Sequence, residues 1–185
     1  MGEAAGAAGA APDALRGGAV TLRPITAEDI EPLELTGAHW GDEFEFFGFR
    51  ATNQLARWYA ASGCLEADRG ALAVQAMDRL VGRVGWHAVE YGPGGSSRAL
   101  RIGIGLLPEA RGMGFGSRAQ DLLAQYLFAT TLVHRVEAGT DIGNVAEQRA
   151  LEKAGFVRDG VMREAQYRDG TWHDVALYSR LRTDG

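Results

Sequence analysis

The chain has 185 residues, of which 46% are hydrophobic, and a formal net charge of -5. This length allows one domain with a sizeable buried core. Lys153 is the only lysine, and no block rich in lysine or arginine occurs, which argues against a nucleic acid as the main partner. Cys64 is the only cysteine, so an internal disulfide and a cysteine metal cluster are excluded. The four histidines are scattered without metal-ligand spacing, and we expect no metal site.

The first eighteen residues are mostly alanine and glycine. They lack the basic start and the hydrophobic stretch of a signal peptide, and they cannot bury enough surface to order themselves. We therefore predict a disordered tail over residues 1–18, followed by one domain over residues 19–182. No apolar run approaches the length of a membrane span, so we expect no membrane partner. Because the sequence shows neither an export signal nor a disulfide, we expect a cytoplasmic location.

The residue pattern predicts eleven elements in the order β-α-α-β-β-β-α-β-α-β-β. The first half of the chain contributes a strand over Ala19–Ile25, a helix that Thr26 caps and that runs to Leu35 or Gly37, a helix over Ala51–Ala61, and paired strands over Ala71–Ala76 and Val81–Tyr91. This order suits an α+β domain with a mixed sheet. It does not suit a Rossmann domain, which would begin with alternating strands and helices.

The most informative segment joins a strand to a helix in the middle of the chain. The apolar run Ala99–Leu107 is short enough to be one buried strand, and a helical pattern begins at Phe115. Between them lie Arg111 and three glycines at alternate positions, 112, 114 and 116. Glycine lets a backbone turn sharply and approach a ligand closely, and the first amides of a helix carry a positive partial charge. Together these features predict a binding site for phosphate groups.

Three phosphate ligands compete for this segment. A P-loop requires a lysine after its last glycine, and none is present. The dinucleotide pattern G-x-G-x-x-G is nearly met by Gly112, Gly114 and Ser117, but its third glycine is missing, and Asp141 lies too far on to be the usual ribose-binding acid. The third pattern is R-x-x-G-x-G, formed by Arg111, Gly114 and Gly116. It resembles the pyrophosphate loop of the GNAT superfamily of acyl-CoA N-acyltransferases.

A second block and a C-terminal hairpin carry the same resemblance. Residues Asn144–Phe156 have the form N-x-x-x-x-R-x-L-E-K-x-G-F, which closely resembles the second signature of the GNAT branch that contains the RimJ/RimL-type N-terminal acetyltransferases of ribosomal proteins. Gly155 is placed as a helix stop, and the Asp169–Gly170 turn between two alternating runs predicts a hairpin. The matching blocks occur in the right order over nearly the whole chain, from about Val20 to Leu181.

The resemblance implies both a fold and a donor site. The fold would be the α+β GNAT fold, with a mixed, mostly antiparallel sheet that splays at its central parallel strands and is flanked by helices. Acetyl-CoA would be the acyl donor, its pantetheine arm would lie in the gap between the splayed strands, and no metal would take part. The residues implied in coenzyme A binding are Gly105, Leu106, Leu107, Arg111, Gly112, Met113, Gly114, Phe115, Gly116, Ser117, Asn144 and Arg149.

The implied reaction is transfer of an acetyl group to a primary amine by direct attack through a tetrahedral intermediate. The amine must lose a proton, and His87 is the first candidate base because histidine titrates near neutrality. Glu147 is the second candidate. Leu151 stands where many GNAT proteins have a tyrosine acid, so the thiolate would be protonated by water, by Tyr178 or by Tyr167.

The acceptor wall is expected in the aromatic and acidic loop that joins the first two helices. The residues proposed to bind the acceptor are Trp40, Asp42 and Glu43 of this loop, together with Trp86 beside His87. The acceptor itself stays open among a protein N-terminus, an antibiotic amine, a polyamine and an amino acid. The assembly state is also open, with a homodimer among the alternatives. Two rival functions are a non-catalytic coenzyme A-binding module and an NAD-binding oxidoreductase.

Overall fold

The described residues form one sheet with helices on both faces. The computed structural model describes residues 15–17, 19–39, 44 and 53–184. The strands found there are β1 (Leu15–Gly17), β2 (Val20–Pro24), β3 (Arg69–Ala76), β4 (Arg79–Glu90), β5 (Arg98–Leu106), β6 (Arg135–Asp141), β7 (Val157–Arg168) and β8 (Thr171–Leu181). The helices found there are α1 (Ala27–His39), α2 (Gln54–Ser62), α3 (Phe115–Thr130) and α4 (Val145–Lys153). No helix within these ranges is long and apolar enough to cross a membrane.

The strand order of the sheet is β1-β2-β3-β4-β5-β6-β8-β7. Every neighbouring pair is antiparallel except β5 and β6, which run parallel. A parallel pair needs a crossover connection rather than a tight turn, and α3 lies in that connection. The predicted mixed, mostly antiparallel sheet with one central parallel pair is confirmed.

The two faces of the sheet bury separate hydrophobic clusters. The larger cluster packs α3 and α4 against one face, where Leu123 and Leu151 are fully buried. The smaller cluster packs α1 and α2 against the other face, where Leu33 and Leu55 cover alanines of β3. Successive residues of a strand point to opposite faces, so the register of the sheet decides on which side each polar residue lies.

Helix α3 forms where the apolar spacing predicted it. Its buried residues include the apolar residues that recur at helical spacing in the sequence, Phe115, Ala119, Leu122, Leu123, Tyr126 and Leu127. The helix begins immediately after Gly114, which has a φ of 80°. This left-handed conformation strains any residue with a Cβ, so a glycine at this point ends the loop and starts the helix at a fixed residue.

Several predicted boundaries differ from the structure, and the first helix, for example, ends at His39 rather than at Leu35 or Gly37. The tail was predicted to extend to residue 18, but β1 pairs with β2 from Leu15↔Leu22 to Gly17↔Val20, so the sheet begins inside it. The remainder of that prediction, residues 1–14 and 18, lies outside the described residues. The second helix begins at Gln54 rather than Ala51. Short edge strands and helix ends make few contacts, so the sequence pattern does not define precisely where they begin and end.

One buried ion pair joins the first long strand to the first helix. Arg23 donates two hydrogen bonds to the Asp29 carboxylate, at 2.6 and 2.8 Å. The backbone N–H and the hydroxyl of Thr26 donate to the same carboxylate, at 2.8 and 2.9 Å. Burial alone would raise the pKa of Asp29, but these four donors outweigh it, and the pKa lies below its ordinary value. The predicted threonine at the helix start therefore acts as a donor to Asp29.

We expect Asp29→Asn to lower the free energy of unfolding by about 2 kcal/mol at pH 7, because hydrogen bonds to a charged group are lost. The folded-state pKa of Asp29 is depressed, so the carboxylate stabilises the fold fully above its unfolded-state pKa of ~3.9. This stabilisation is lost as the pH falls through the folded-state pKa. Urea unfolding at pH 7 and at pH 3 measures both effects. The difference between wild type and variant should shrink in acid.

The matched control is Asp68→Asn, which removes an exposed ion pair with Arg98. Exposed pairs contribute about 0–1 kcal/mol. A loss at Asp29 no greater than the loss at Asp68 would contradict the assigned role of the buried pair.

Candidate functional site

The central feature of the site is the separation of β5 from β6. These strands pair only from Ala99↔Arg135 to Ile102↔Ala138. Beyond that point β5 continues to Leu106 along β4, and β6 continues to Asp141 along β8. Among the described residues, no ladder pair joins the two strands past Ile102. The strand edges that face this gap offer backbone donors and acceptors to an extended ligand, as an exposed sheet edge does.

The glycine loop lies at the end of β5, where the gap opens. A 3-10 turn over Pro108–Ala110 leads to Gly112 and Gly114, which have φ values of 72° and 80°. A Cβ built on either glycine would meet no atom within 4 Å, so the space beside the loop is open. The first backbone amides of α3 precede the bond from the Arg118 N–H to the Gly114 carbonyl, so they have no partner within the helix. Their geometry and partial charge fit a diphosphate.

The second signature block supplies a helix cap. The side-chain oxygen of Asn144 accepts a hydrogen bond of 3.1 Å from the Glu147 backbone N–H. Helix α4 ends at Lys153, and Gly155 follows with a φ of 81°, so the predicted stop is confirmed. Arg149 is exposed and Glu147 is partly buried.

A cleft of about 420 Å³ lies on the face of the sheet that carries α1 and α2. Its floor consists of glycines that the register of β4, β5 and β6 brings to one side, namely Gly85, Gly103, Gly105 and Gly139. Its walls include Trp58 of α2 and four basic side chains, Arg69, Arg83, His87 and Arg101. A floor of glycines leaves the backbone of the splayed strands open to a ligand.

Sequence reasoning missed Trp58 and the arginines of this cleft. The sequence does hold a signal for the arginines, because alternate residues of a strand lie on the same face of the sheet. This alternation groups Arg83 with Gly85 and His87 in β4, and Arg101 with Gly103 and Gly105 in β5. Nothing in the sequence shows that Trp58 lines the cleft, because its position depends on how α2 packs against the sheet. Its indole N–H donates to Glu66 at 2.7 Å, and Arg69 lies 4.9 Å from its ring centroid.

The structure places His87 in the cleft with its imidazole exposed. In the sheet its neighbours are Arg69 on β3 and Arg101 on β5. Partial desolvation and the positive charge of Arg101 lower the pKa of His87 from its ordinary value, and the negative charge of Glu137 opposes them. The imidazole is therefore neutral near pH 7 and carries a lone pair that can accept a proton.

Glu137 anchors the charges beside His87. Its carboxylate is fully buried and accepts hydrogen bonds from the hydroxyl of Tyr91 at 2.7 Å, from Arg101 at 2.7 Å and from Arg135 at 3.1 Å. Burial would raise the pKa of Glu137, but these donors hold it below its ordinary value. A buried charge this well paired fixes the position of Arg101, and hence the field at His87.

Two of the predicted site residues lie on the opposite face. Trp86 is only 9% exposed, and its ring packs edge to face on Tyr126 of α3 at 5.9 Å. Its ring is part of the core on that face, so the packing does not support the predicted contact between this ring and the acceptor. Tyr178 is 1% exposed, and its hydroxyl donates to Glu152 of α4 at 3.2 Å. Burial and the charge of Glu152 raise the pKa of Tyr178. The structure does not bring Tyr178 together with His87, so it does not fit the role of acid.

Three other predicted acceptor residues, Trp40, Asp42 and Glu43, lie outside the described residues. Within the described part of the chain, no group of three or more histidine, cysteine, aspartate or glutamate side chains is arranged to hold a metal ion.

Replacing Arg101 with glutamine should raise the pKa of His87. The substitution removes the positive charge that lowers this pKa, while the Glu137 carboxylate, which raises it, remains. An NMR titration of the His87 ring protons measures this shift. Arg79→Gln, at the exposed start of β4, is the control and should leave the titration unchanged. An unchanged or lower His87 pKa in the Arg101 variant would contradict the assigned electrostatics.

Comparison with known proteins agrees with the geometry of the loop and the gap. The family model described as an acetyltransferase (GNAT) domain matches residues 19–157. The probable N-acetyltransferase YjcK of Bacillus subtilis is 28% identical over 180 residues, which cover 92% of this chain and 98% of that protein. The uncharacterized N-acetyltransferase YoaA of the same organism is 33% identical over 103 residues, and this match spans only 56% of each chain.

Solved structures share the fold. RimJ of Mycobacterium smegmatis, solved with a CoA-disulfide, has a TM-score of 0.72 at 21% identity and covers 91% of this chain and 86% of its own. Spermidine N-acetyltransferase of Vibrio cholerae, solved with CoA and spermine, has a TM-score of 0.77 at 19% identity and covers 91% of this chain and 98% of its own. The family match spans well over half of the sequence, and the expected fold is present. The chain belongs to the acetyltransferase (GNAT) family, as the loop at residues 111–117 and the block Asn144–Phe156 predicted.

Proposed function

We propose that this protein moves an acetyl group from acetyl-CoA to a primary amine. The observation that carries the proposal is the glycine loop at the start of α3 beside a gap between two parallel strands. Coenzyme A has a diphosphate and an extended arm that carries amide groups, and both need protein contacts. The glycine loop offers a site for the diphosphate, and the gap offers a site for the arm.

The donor would be held mainly by backbone groups. The amides from Arg111 to Ser117 would bind the diphosphate, and the strand edge around Gly105, Leu106 and Leu107 would bind the pantetheine arm. Asn144 and Arg149, on the neighbouring α4 block, would contact the donor near its thioester and phosphate ends. Acetyl-CoA supplies the activated acetyl group, and the protein residues orient it.

His87 would accept the proton that the amine must lose. An alkyl amine such as that of lysine has a pKa of ~10.4, so most of the amine is charged at pH 7 and cannot attack. The lowered pKa of His87 keeps the imidazole neutral and ready to accept this proton. Glu147, three residues after Asn144, is the alternative base. Cys64 is buried, and burial raises the pKa of its thiol to about 11, so a covalent acyl-cysteine step is not part of the proposal.

The acceptor would be an amine that enters from the α1 and α2 face. The spermidine N-acetyltransferase of Vibrio cholerae acts, by its name, on a polyamine, but a shared fold does not fix the acceptor. A homodimer and a cytoplasmic location stay predictions.

The direct test is release of free coenzyme A thiol from acetyl-CoA with a panel of peptide N-termini, polyamines, amino acids and aminoglycosides. We expect amine-dependent release with at least one class. Tight coenzyme A binding without turnover on any amine would favour the rival binding module, and binding of NADH without acetyl-CoA would support the oxidoreductase.

Gly114→Ala should weaken coenzyme A binding about tenfold, equivalent to 1.4 kcal/mol, because a Cβ strains the left-handed conformation that aims the first amides of α3. Isothermal titration calorimetry measures the affinity. Gly63→Ala is the matched control, since Gly63 has a φ of 62° and an open Cβ direction at the end of α2. It should lose stability but keep its affinity, and an equal affinity in both variants would contradict the loop assignment.

His87→Ala should lower kcat by about 10²-fold, as expected for loss of a general base. In the wild type, kcat/KM should fall as the pH drops through the pKa of His87, which lies below its ordinary value because of desolvation and Arg101. This acidic limb should vanish in the variant. His134→Ala, at the exposed residue before β6, is the control. An unaltered pH profile in the His87 variant would contradict the role of His87 as the base and would favour Glu147.

A further inference from the structure

A second cavity of about 370 Å³ opens on the same face of the sheet as the glycine-floored cleft. Asp141 lines it and lies two residues after Gly139 in β6, so both point to one side. His173 lies two residues before Val175, the partner of Asp141 in β8, and therefore shares that side. The second cavity thus adjoins the first beyond the point where β5 and β6 separate.

A buried ion pair forms one wall of this second cavity. Arg168 donates to the Asp141 carboxylate at 2.5 Å, and the two side chains are 3% and 6% exposed. The other carboxylate oxygen accepts the Gly143 backbone N–H at 2.6 Å. Burial would raise the pKa of Asp141, but these donors hold it below its ordinary value. His173 completes the cluster, with Nδ1 3.3 Å from Asp141 and Nε2 2.9 Å from the Thr171 hydroxyl.

The same arginine holds Phe44, a residue of the segment between α1 and α2. The second Nη of Arg168 donates to the Phe44 carbonyl at 3.0 Å, and its guanidinium carbon lies 5.6 Å from the centroid of the Phe44 ring. Gly143 lies against the edge of that ring, since a Cβ there would be 3.4 Å from a ring carbon. A planar guanidinium can make such a contact with a carboxylate, a carbonyl and a ring at once, and an ammonium cannot.

We propose that Arg168 is a positioning residue for the acceptor amine. It sets the acceptor wall by holding Phe44 against the Asp141 end of β6. This inference rests on the proposed function. Once the donor occupies the loop and the gap, the amine has to approach from the α1 and α2 face, and Phe44 and the β7–β8 hairpin border that approach. A shift of Phe44 would change how the amine is presented while leaving the donor contacts intact.

The test is the kinetics of Arg168→Lys with an amine that the wild type acetylates. Lysine keeps a positive charge beside Asp141, so the buried carboxylate stays compensated, but it loses the simultaneous hold on Phe44. We expect the KM for the amine to rise about tenfold while the KM for acetyl-CoA changes less than about twofold. Phe44→Ala should have the same effect, and the double variant should be no worse than either single variant, since both remove one contact.

The chain contains a matched control in Arg182. This arginine makes the same kind of contact with Phe128 at the far end of α3, with a donated hydrogen bond of 2.7 Å to its carbonyl and 5.4 Å from guanidinium carbon to ring centroid. Arg182→Lys should leave both KM values unchanged. Two results would overturn this inference while leaving the proposed function intact. One is an equal change in both KM values for the Arg168 variant, and the other is a fully additive rise of the amine KM in the double variant. A wild type that acetylates no amine would overturn it together with the proposed function.

Discussion

The structure depends on a gap that the sheet leaves between β5 and β6. Hydrogen bonds between these strands end at Ile102↔Ala138, although both strands continue. Unpaired backbone edges are costly when they are buried, so the fold keeps them open to a ligand and supports each strand from its outer side, through β4 and β8. The glycine floor, the loop at the start of α3 and the cap at Asn144 all lie around this one interruption.

Charge organises the rest of the site. Two buried carboxylates on the same side of β6, Glu137 and Asp141, each hold an arginine from another strand of the sheet, β5 or β7. Each buried pair is fully hydrogen-bonded, which is the condition under which burying charge is tolerated. Glu137 fixes the arginine that lowers the pKa of His87, and Asp141 fixes the arginine that reaches Phe44. One strand therefore sets both the field at the candidate base and the position of the acceptor wall.

Features that depend on local geometry could be predicted from the sequence. The spacing of Gly112, Gly114 and Gly116, the helical pattern of α3 and the stop of α4 each depend on residues close together in the sequence, and the structure has them all. The predictions for Trp86 and Tyr178 were wrong. The alternating pattern of a strand shows which residues share a face of the sheet, but it does not show which helices cover that face. The cluster of Arg168 could not be found at all, since it joins residues 124 positions apart.

The burial of Cys64 has a practical consequence for following motion in this protein. The thiol is fully buried, and burial raises its pKa to about 11, so the thiolate that reacts with labelling reagents is scarce at neutral pH. Because the chain has no other cysteine, a cysteine introduced on the rim of either cavity would be the only thiol available to a spectroscopic probe. The native sequence thus already serves as a background for site-specific labels, without prior removal of its own cysteine.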